Sequence, residues 1–160
     1  MRKLKWDKTI GLRKTASFGV PYNYSGLTYK ATGMQPLLVP VCQQLTSYLG
    51  FRPNNCLVNY YADGDSTMGK HSDETDFLEP GTGIAIVSIG HDREIVFTNK
   101  KDQALEQGYT LTNGSLLYMD IDSQNHWLHS VRKQDNKKGR MSLTFRSILD
   151  IDVKLSASGF

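Results

Sequence analysis

The sequence predicts one mainly β domain, a sandwich or barrel-like pair of sheets with flanking helix, and three observations carry that prediction. From Cys56 onward the chain runs in short stretches rich in β-branched and aromatic residues, separated by Gly, Asn and Asp. One stretch before them has a helical period. No repeat, low-complexity segment or linker interrupts the 160 residues, and a hydrophobic content of 39% is enough for one core.

The helix lies over Pro36 to Leu49. Leu38, Val41, Cys42, Leu45 and Leu49 recur close to every 3.6 residues, Pro is tolerated near the start, and Gly50 stands just past the end. The strand stretches are Leu57 to Tyr61, Ile84 to Ile89, Glu94 to Thr98, Ser115 to Met119, Trp127 to Val131 and Met141 to Ile148. Many short strands with turn punctuation form a double sheet, whose open mouth is a natural place for a metal and a small co-substrate. Cys42 and Cys56 have no paired spacing of the zinc or disulfide kind and read as reduced core residues.

No apolar run approaches the roughly 18 residues needed to cross a bilayer, and the start lacks the apolar stretch of a secretory signal, so no membrane association and an intracellular location are expected. Net charge is only +3, but it is unevenly placed. Arg2, Lys3, Lys5, Lys8, Arg13 and Lys14 face a single Asp7 in one run, and Arg132, Lys133, Lys137, Lys138 and Arg140 form a second. Such runs neutralise phosphates in nucleic-acid binders, although a solvated basic face is the commoner origin.

The segment from Asn59 turns through Gly64 and Gly69 and ends on His71-Ser72-Asp73. In extended backbone, residues i and i+2 project to the same side, so His71 and Asp73 can hold one ion together. A third ligand must come from elsewhere; His129, on the Trp127 to Val131 stretch, is the candidate and His126 its near rival. Two imidazoles and a carboxylate on one face of an octahedron leave three positions open, as in non-haem Fe(II) oxygenases. Zinc with the same donors is the competing reading.

A second pattern bears on that choice. In Arg140-Met-Ser142-Leu-Thr144-Phe-Arg146 polar and apolar residues alternate, so Arg140, Ser142, Thr144 and Arg146 share one strand face. Two guanidiniums on an inward face are costly unless an anion meets them, and a dicarboxylate fits the fork geometry of Arg. The alternative is an outer strand whose charges are solvated.

These segments resemble the AlkB family of nucleic-acid demethylating dioxygenases. The matching residues are Asn59-x-Tyr61 with Asp63-Gly64, Gly69-x-His71-x-Asp73, Gly114-Ser-Leu-Leu, His126-Trp-Leu-His129-Ser130 and Arg140-x-Ser-x-Thr-x-Arg146. Arg13-Lys14, Phe18-Gly19, Tyr22-Asn-Tyr24-Ser25-Gly26-Leu-Thr28, Pro80-Gly81, Val87-Ser-Ile-Gly90 and Arg93-x-x-Val96-Phe97 extend the likeness from about residue 11 to about residue 148. It is strongest to the branch that repairs alkylated duplex DNA.

The resemblance implies a double-stranded β-helix, or jelly roll, with an N-terminal nucleotide-recognition lid over about residues 1–35 and a catalytic core over about 36–150, one domain in all. It implies iron held by His71, Asp73 and His129, with O2 and 2-oxoglutarate as co-substrates. Arg140 and Ser142 would meet the distal carboxylate of 2-oxoglutarate and Arg146 with Asn59 the metal-side carboxylate, with Tyr61 and Thr144 beside them. The implied reaction converts 2-oxoglutarate to succinate and carbon dioxide while hydroxylating an N-methyl group on a base of 1-methyladenine or 3-methylcytosine type, which then leaves as formaldehyde. A base in a duplex must be flipped out and held between flat faces. Tyr22, Tyr24 and Ser25 on the lid, with His71 opposite, are the implied holders.

Two departures bear on substrate. Thr75 stands where the duplex-DNA relatives carry an acidic residue, with Glu74 beside it, and Ser142 stands where they often have Asn. Their apolar duplex wedge would fall near Trp6. The expected partner is nucleic acid, DNA before RNA, bound by a monomer in the cytoplasm or nucleus. The alternatives are an RNA demethylase and a 2-oxoglutarate oxygenase acting on protein or a small molecule.

Overall fold

The computed structural model describes residues 5–24 and 27–149, with the backbone alone for residues 23, 24 and 27. Eleven strands and two helices follow in the order β1 Lys14–Gly19, β2 Tyr22–Tyr24, β3 Leu27–Tyr29, α1 Val39–Leu49, β4 Asn55–Tyr61, β5 Met68–His71, β6 Ile84–Gly90, β7 Arg93–Asn99, β8 Glu106–Leu111, β9 Leu116–Met119, α2 Ile121–His126, β10 Trp127–Val131 and β11 Arg140–Arg146. A five-stranded sheet runs β1-β4-β11-β6-β9 and a four-stranded sheet β5-β10-β7-β8, with β2 and β3 paired separately. This is the double sheet that the strand stretches predict. None of the described helices is long and apolar enough to cross a membrane.

The helix begins with a 3-10 turn over Pro36–Leu38 and ends on Gly50 at φ 77°, a left-handed cap that glycine adopts without a Cβ clash. Its Cys42 and Leu45 pack on the outer face of the larger sheet against Ala16, Cys56, Leu143 and Phe145. Each apolar side chain removed from water there contributes roughly 1.5–3 kcal/mol. The helix thereby seals the back of β11. The inner face of that sheet is left to the cavity.

β11 lies between β4 and β6, with Ser142 opposite both Asn59 and Ser88, and Arg140 opposite Tyr61. Because directly paired residues point to one side, this register gathers Asn59, Tyr61, Ser88, Arg140, Ser142, Thr144 and Arg146 on one inner surface. The solvated-strand reading of Arg140 to Arg146 is excluded, since Leu143 and Phe145 are buried behind it and both arginines are buried in front.

Some expectations shift. The last strand stops at Arg146 rather than Ile148, because Ser147 turns away to bond Arg52 and Glu79, and Ile148 is clasped at both its N–H and its carbonyl by the Asn54 amide. β1 belongs to the larger sheet, paired along its length with β4, so residues 14–19 are part of the core and not of a separate lid. The strand stretches omitted β1, β2, β3, β5 and β8, and α2 had no helical period to find. β8 is exposed at five of its six residues and shows no apolar alternation, and α2 is set by the Asp120 cap on the Ser123 N–H.

Candidate metal centre and co-substrate cavity

His71 ends β5 and His129 stands directly opposite it on β10, so the antiparallel register brings two imidazoles from distant parts of the chain together, ring centroids 4.3 Å apart. Asp73 follows two residues on, with Oδ1 3.6 Å from His71 Nε2. One donor atom from each of the three residues lies within 4.8 Å of the others. His126 takes no part; it is exposed at the end of α2, with Nδ1 against the Asp122 carbonyl.

The donors are arranged as a metal ion needs them. His71 Nδ1 lies 2.9 Å from the Gly69 carbonyl, which can only accept, so Nδ1 carries a proton and Nε2 is the ring nitrogen that faces Asp73. Burial, with the His71 charge second, lowers His129 to about 4, so its ring is neutral. Its Nδ1 is buried and bonds to no protein group. Burial raises the Asp73 carboxyl, but Arg146, the His71 contact and His129 together outweigh it and hold the group well below the usual carboxylate range. Two imidazoles and one firm carboxylate fit a divalent ion.

The backbone N–H of Asp73 donates to Gln124 Oε1 at 2.8 Å, so α2 fixes a candidate donor that lies fifty-one residues away. Sequence reasoning did not find Gln124. Its one signal is nearness to His126 on a helix too short to show a period.

The cavity beside the donors is lined by Leu57, Asn59, Tyr61, Met68, Ile86, Ile95, Val131, Arg140, Ser142, Thr144 and Arg146, with His71, Asp73 and His129. All nine metal and co-substrate residues singled out from the sequence therefore meet on one surface. Arg140 Nε donates to Ser88 Oγ at 2.9 Å, and its guanidinium sits 5.4 Å from the Tyr61 ring centroid. Arg146, 1% exposed, donates from Nη2 to Asp73 Oδ2 at 3.0 Å. It thus links the metal donors to the cavity wall. Asn59 Oδ1 accepts from Arg13 Nε at 2.9 Å; a guanidinium can only donate, so the contact orients the amide with its oxygen toward Arg13.

The remaining site residues divide. Tyr22 is 4% exposed, its ring 4.5 Å from the Arg146 guanidinium and edge-on to Phe77, so it roofs Arg146 instead of standing open for a base as the lid resemblance implied. Tyr24 lies on β2, its side chain outside the described residues, as is Ser25 altogether. Glu74 is exposed and Thr75 half-buried, directly after the metal donors. Trp6 rests against Tyr60, ring centroids 5.7 Å apart.

The basic runs are less available than their sequence density indicates. Arg13 is buried on Asn59, Arg132 is paired with Glu106, and Lys133 and Lys137 both reach Asp65.

Comparison with known proteins agrees with this geometry. The family described as the 2OG-Fe(II) oxygenase superfamily matches residues 2–146. The DNA oxidative demethylase ALKBH2 of Mus musculus is 36% identical over 157 residues, covering 91% of this chain and 64% of the mouse protein. The Homo sapiens protein of the same name is also 36% identical, with 91% and 59% covered. The Rattus norvegicus alpha-ketoglutarate-dependent dioxygenase alkB homolog 3 is 30% identical over 166 residues, with 89% and 55% covered. The chain thus spans between about half and two thirds of the length of these curated relatives. Among solved structures, that of OsALKBH1 superposes with a TM-score of 0.63 at 18% identity, covering 92% of this chain and 82% of that one, a likeness of fold. The double sheet is therefore the jelly roll of these enzymes, and the chain belongs to the 2OG-Fe(II) oxygenase superfamily and, by its likeness to these relatives, to the AlkB family within it.

Proposed function

We propose that this chain is an oxidative demethylase of alkylated nucleic-acid bases, with alkylated DNA as substrate. The observation that carries the reading is the joining of the His71, Asp73 and His129 donor set to a buried wall holding two guanidiniums in one cavity. The donor set alone fits zinc as well as iron. The cationic wall beside it is what a dicarboxylate co-substrate requires.

In this reading His71, Asp73 and His129 hold Fe(II). Arg140 and Ser142 hold the distal carboxylate of 2-oxoglutarate, Arg146 and the Asn59 amide its metal-side carboxylate, and Tyr61 and Thr144 complete the wall. When bound, iron and 2-oxoglutarate supply the oxidising chemistry: one oxygen atom of O2 goes into succinate as carbon dioxide leaves, and the other into the N-methyl C–H bond. The resulting N-hydroxymethyl group expels formaldehyde and returns the proton to the base nitrogen. The protein's part is to orient the partners and exclude water. Tyr24 and the exposed side of His71 hold the base, with Ser25, Glu74 and Thr75 at its edge; Tyr22 supports the site through Arg146. The substrate class follows that of the relatives, which are DNA oxidative demethylases. A monomer acting inside the cell, in nucleus or cytoplasm, is part of the same proposal.

A second reading, single-stranded nucleic acid as substrate, draws on Trp6, which is half-buried and rests against Tyr60. Mass spectrometry of methylated single-stranded and duplex DNA and RNA oligomers, with succinate measured alongside, separates these. Loss of the methyl group from DNA is expected; turnover of a methylated peptide and of no oligomer would refute the nucleic-acid reading. The site assignment has its own test. Anaerobic protein with Fe(II) and 2-oxoglutarate is expected to show a weak visible charge-transfer band that His71→Ala abolishes, and its absence from the intact protein would sink the assignment.

A further inference from the structure

Arg93 is a second buried guanidinium beside Tyr61, and neither the donor set nor the cavity wall accounts for it. It opens β7 and is 1% exposed, in step with Ile95, which lines the cavity. Its Nη1 donates to the Asp63 carbonyl at 2.7 Å, and its Nη2 to the carbonyls of Ser66 and Arg132, each at 2.8 Å. Three carbonyls satisfy hydrogen bonds but bring no net charge. Among the described residues no carboxylate stands at ion-pair distance from Arg93 or Arg140. The Asp63 carboxylate attracts Arg93 from farther off, with one oxygen already accepting from the Asp65 and Ser66 N–H groups and the Ser66 hydroxyl.

Both guanidiniums lie against one ring, Arg93 5.7 Å and Arg140 5.4 Å from the Tyr61 centroid. Burial disfavours the charge on each, and Arg93 further disfavours the charge on Arg140. Two buried cations without a carboxylate are costly, and an anion delivered to Arg140 offsets both at once. Neither local carbonyl bonds nor core packing need a charge on Arg93. A ligand with a distal carboxylate does.

We propose that Arg93 is a specificity-determining positioning residue for the co-substrate: its charge, placed behind Tyr61, makes the Arg140 end of the cavity select 2-oxo acids that carry a second carboxylate. The inference rests on the assignment of Arg140 to the distal carboxylate. For charges roughly 8 Å apart at an effective dielectric constant near 20, the attraction changes binding by roughly thirtyfold.

The test is calorimetric titration of 2-oxoglutarate and of 2-oxopentanoate, which lacks the distal carboxylate, into the full chain loaded with Zn(II). Arg93→Gln keeps amide donors for the carbonyls without the charge; Arg93→Lys keeps the charge without the three-carbonyl span. The expected result is that Arg93→Gln loses roughly thirtyfold of the preference for 2-oxoglutarate over 2-oxopentanoate. Arg93→Lys largely retains the preference while its melting temperature falls. An unchanged preference in Arg93→Gln, whatever its melting temperature, would overturn the proposal, and so would loss of the preference in a folded Arg93→Lys. The Lys variant therefore decides the matter if the Gln variant does not fold. Arg140→Gln is the control. If it leaves 2-oxoglutarate binding intact, the site assignment itself is wrong; if it weakens binding while Arg93→Gln leaves the preference unchanged, only the role of Arg93 falls.

Discussion

Replacing Arg146 with Met removes the guanidinium that bonds the buried Asp73 carboxylate, and its cost follows from the geometry. The Asp73 and Arg146 side chains are 4% and 1% exposed and meet at 3.0 Å. Breaking a buried pair from one side leaves the other charge without compensation, which costs about 3–5 kcal/mol. Met conserves the apolar stem and much of the volume, so the lost charge dominates over packing. For a chain of this size that loss lowers Tm by roughly 10 °C. Urea unfolding of metal-free protein in chelator measures it. Arg146→Met should shift the midpoint at unchanged m, and Asp73→Asn/Arg146→Met should be less destabilised than the two single changes added together. Zn(II) should narrow the deficit of the single variant, because the ion supplies the positive charge that Asp73 has lost. An unshifted midpoint, or strictly additive single changes, would refute the claim that the pair is coupled.

Arg13→Met releases the Asn59 amide, and since a hydrogen bond to a charged group is worth about 1.5–3 kcal/mol, the KM for 2-oxoglutarate should rise by about tenfold with kcat little changed; an unchanged KM would remove Asn59 from the co-substrate site. Tyr24→Ala should lower demethylation while uncoupled 2-oxoglutarate turnover continues, and equal loss of both would contradict a base-holding role. Glu106 accepts from Arg132, Lys70 and Thr98, which hold it down to about 2. Because its folded value lies below the ordinary one, the stability it lends is present above the ordinary value of about 4.3 and is lost as pH falls through about 2. In Glu106→Gln the acid-side decline in Tm should be shallower than in the parent, and parallel curves would show that the three contacts do not couple to folding.

Much of the site was legible because it is written in short-range geometry. A pleated strand alternates whatever it pairs with, so Arg140, Ser142, Thr144 and Arg146 had to share a face, as did His71 and Asp73. The helix over Pro36 to Leu49 was legible for the same reason, its apolar period being local. By contrast, β5 and β8 lack that imprint: β5 is four residues with a glycine, and β8 has five of its six residues exposed.

The sequence by itself determined which side chains travel together: the His71 and Asp73 pair, the polar face of β11 and the apolar face behind it. Only the tertiary structure decided what those faces meet. His129 joins the donors because β10 pairs with β5 in a register that sets it opposite His71. Arg13, from a basic run that reads as a surface feature, turns inward onto Asn59, while Lys133 and Lys137 are drawn to Asp65 across the chain. Tyr22 closes over Arg146, and Gln124 reaches back to Asp73. Each of these depends on how distant strands align and which charges that alignment brings close, and local periodicity carries no record of either.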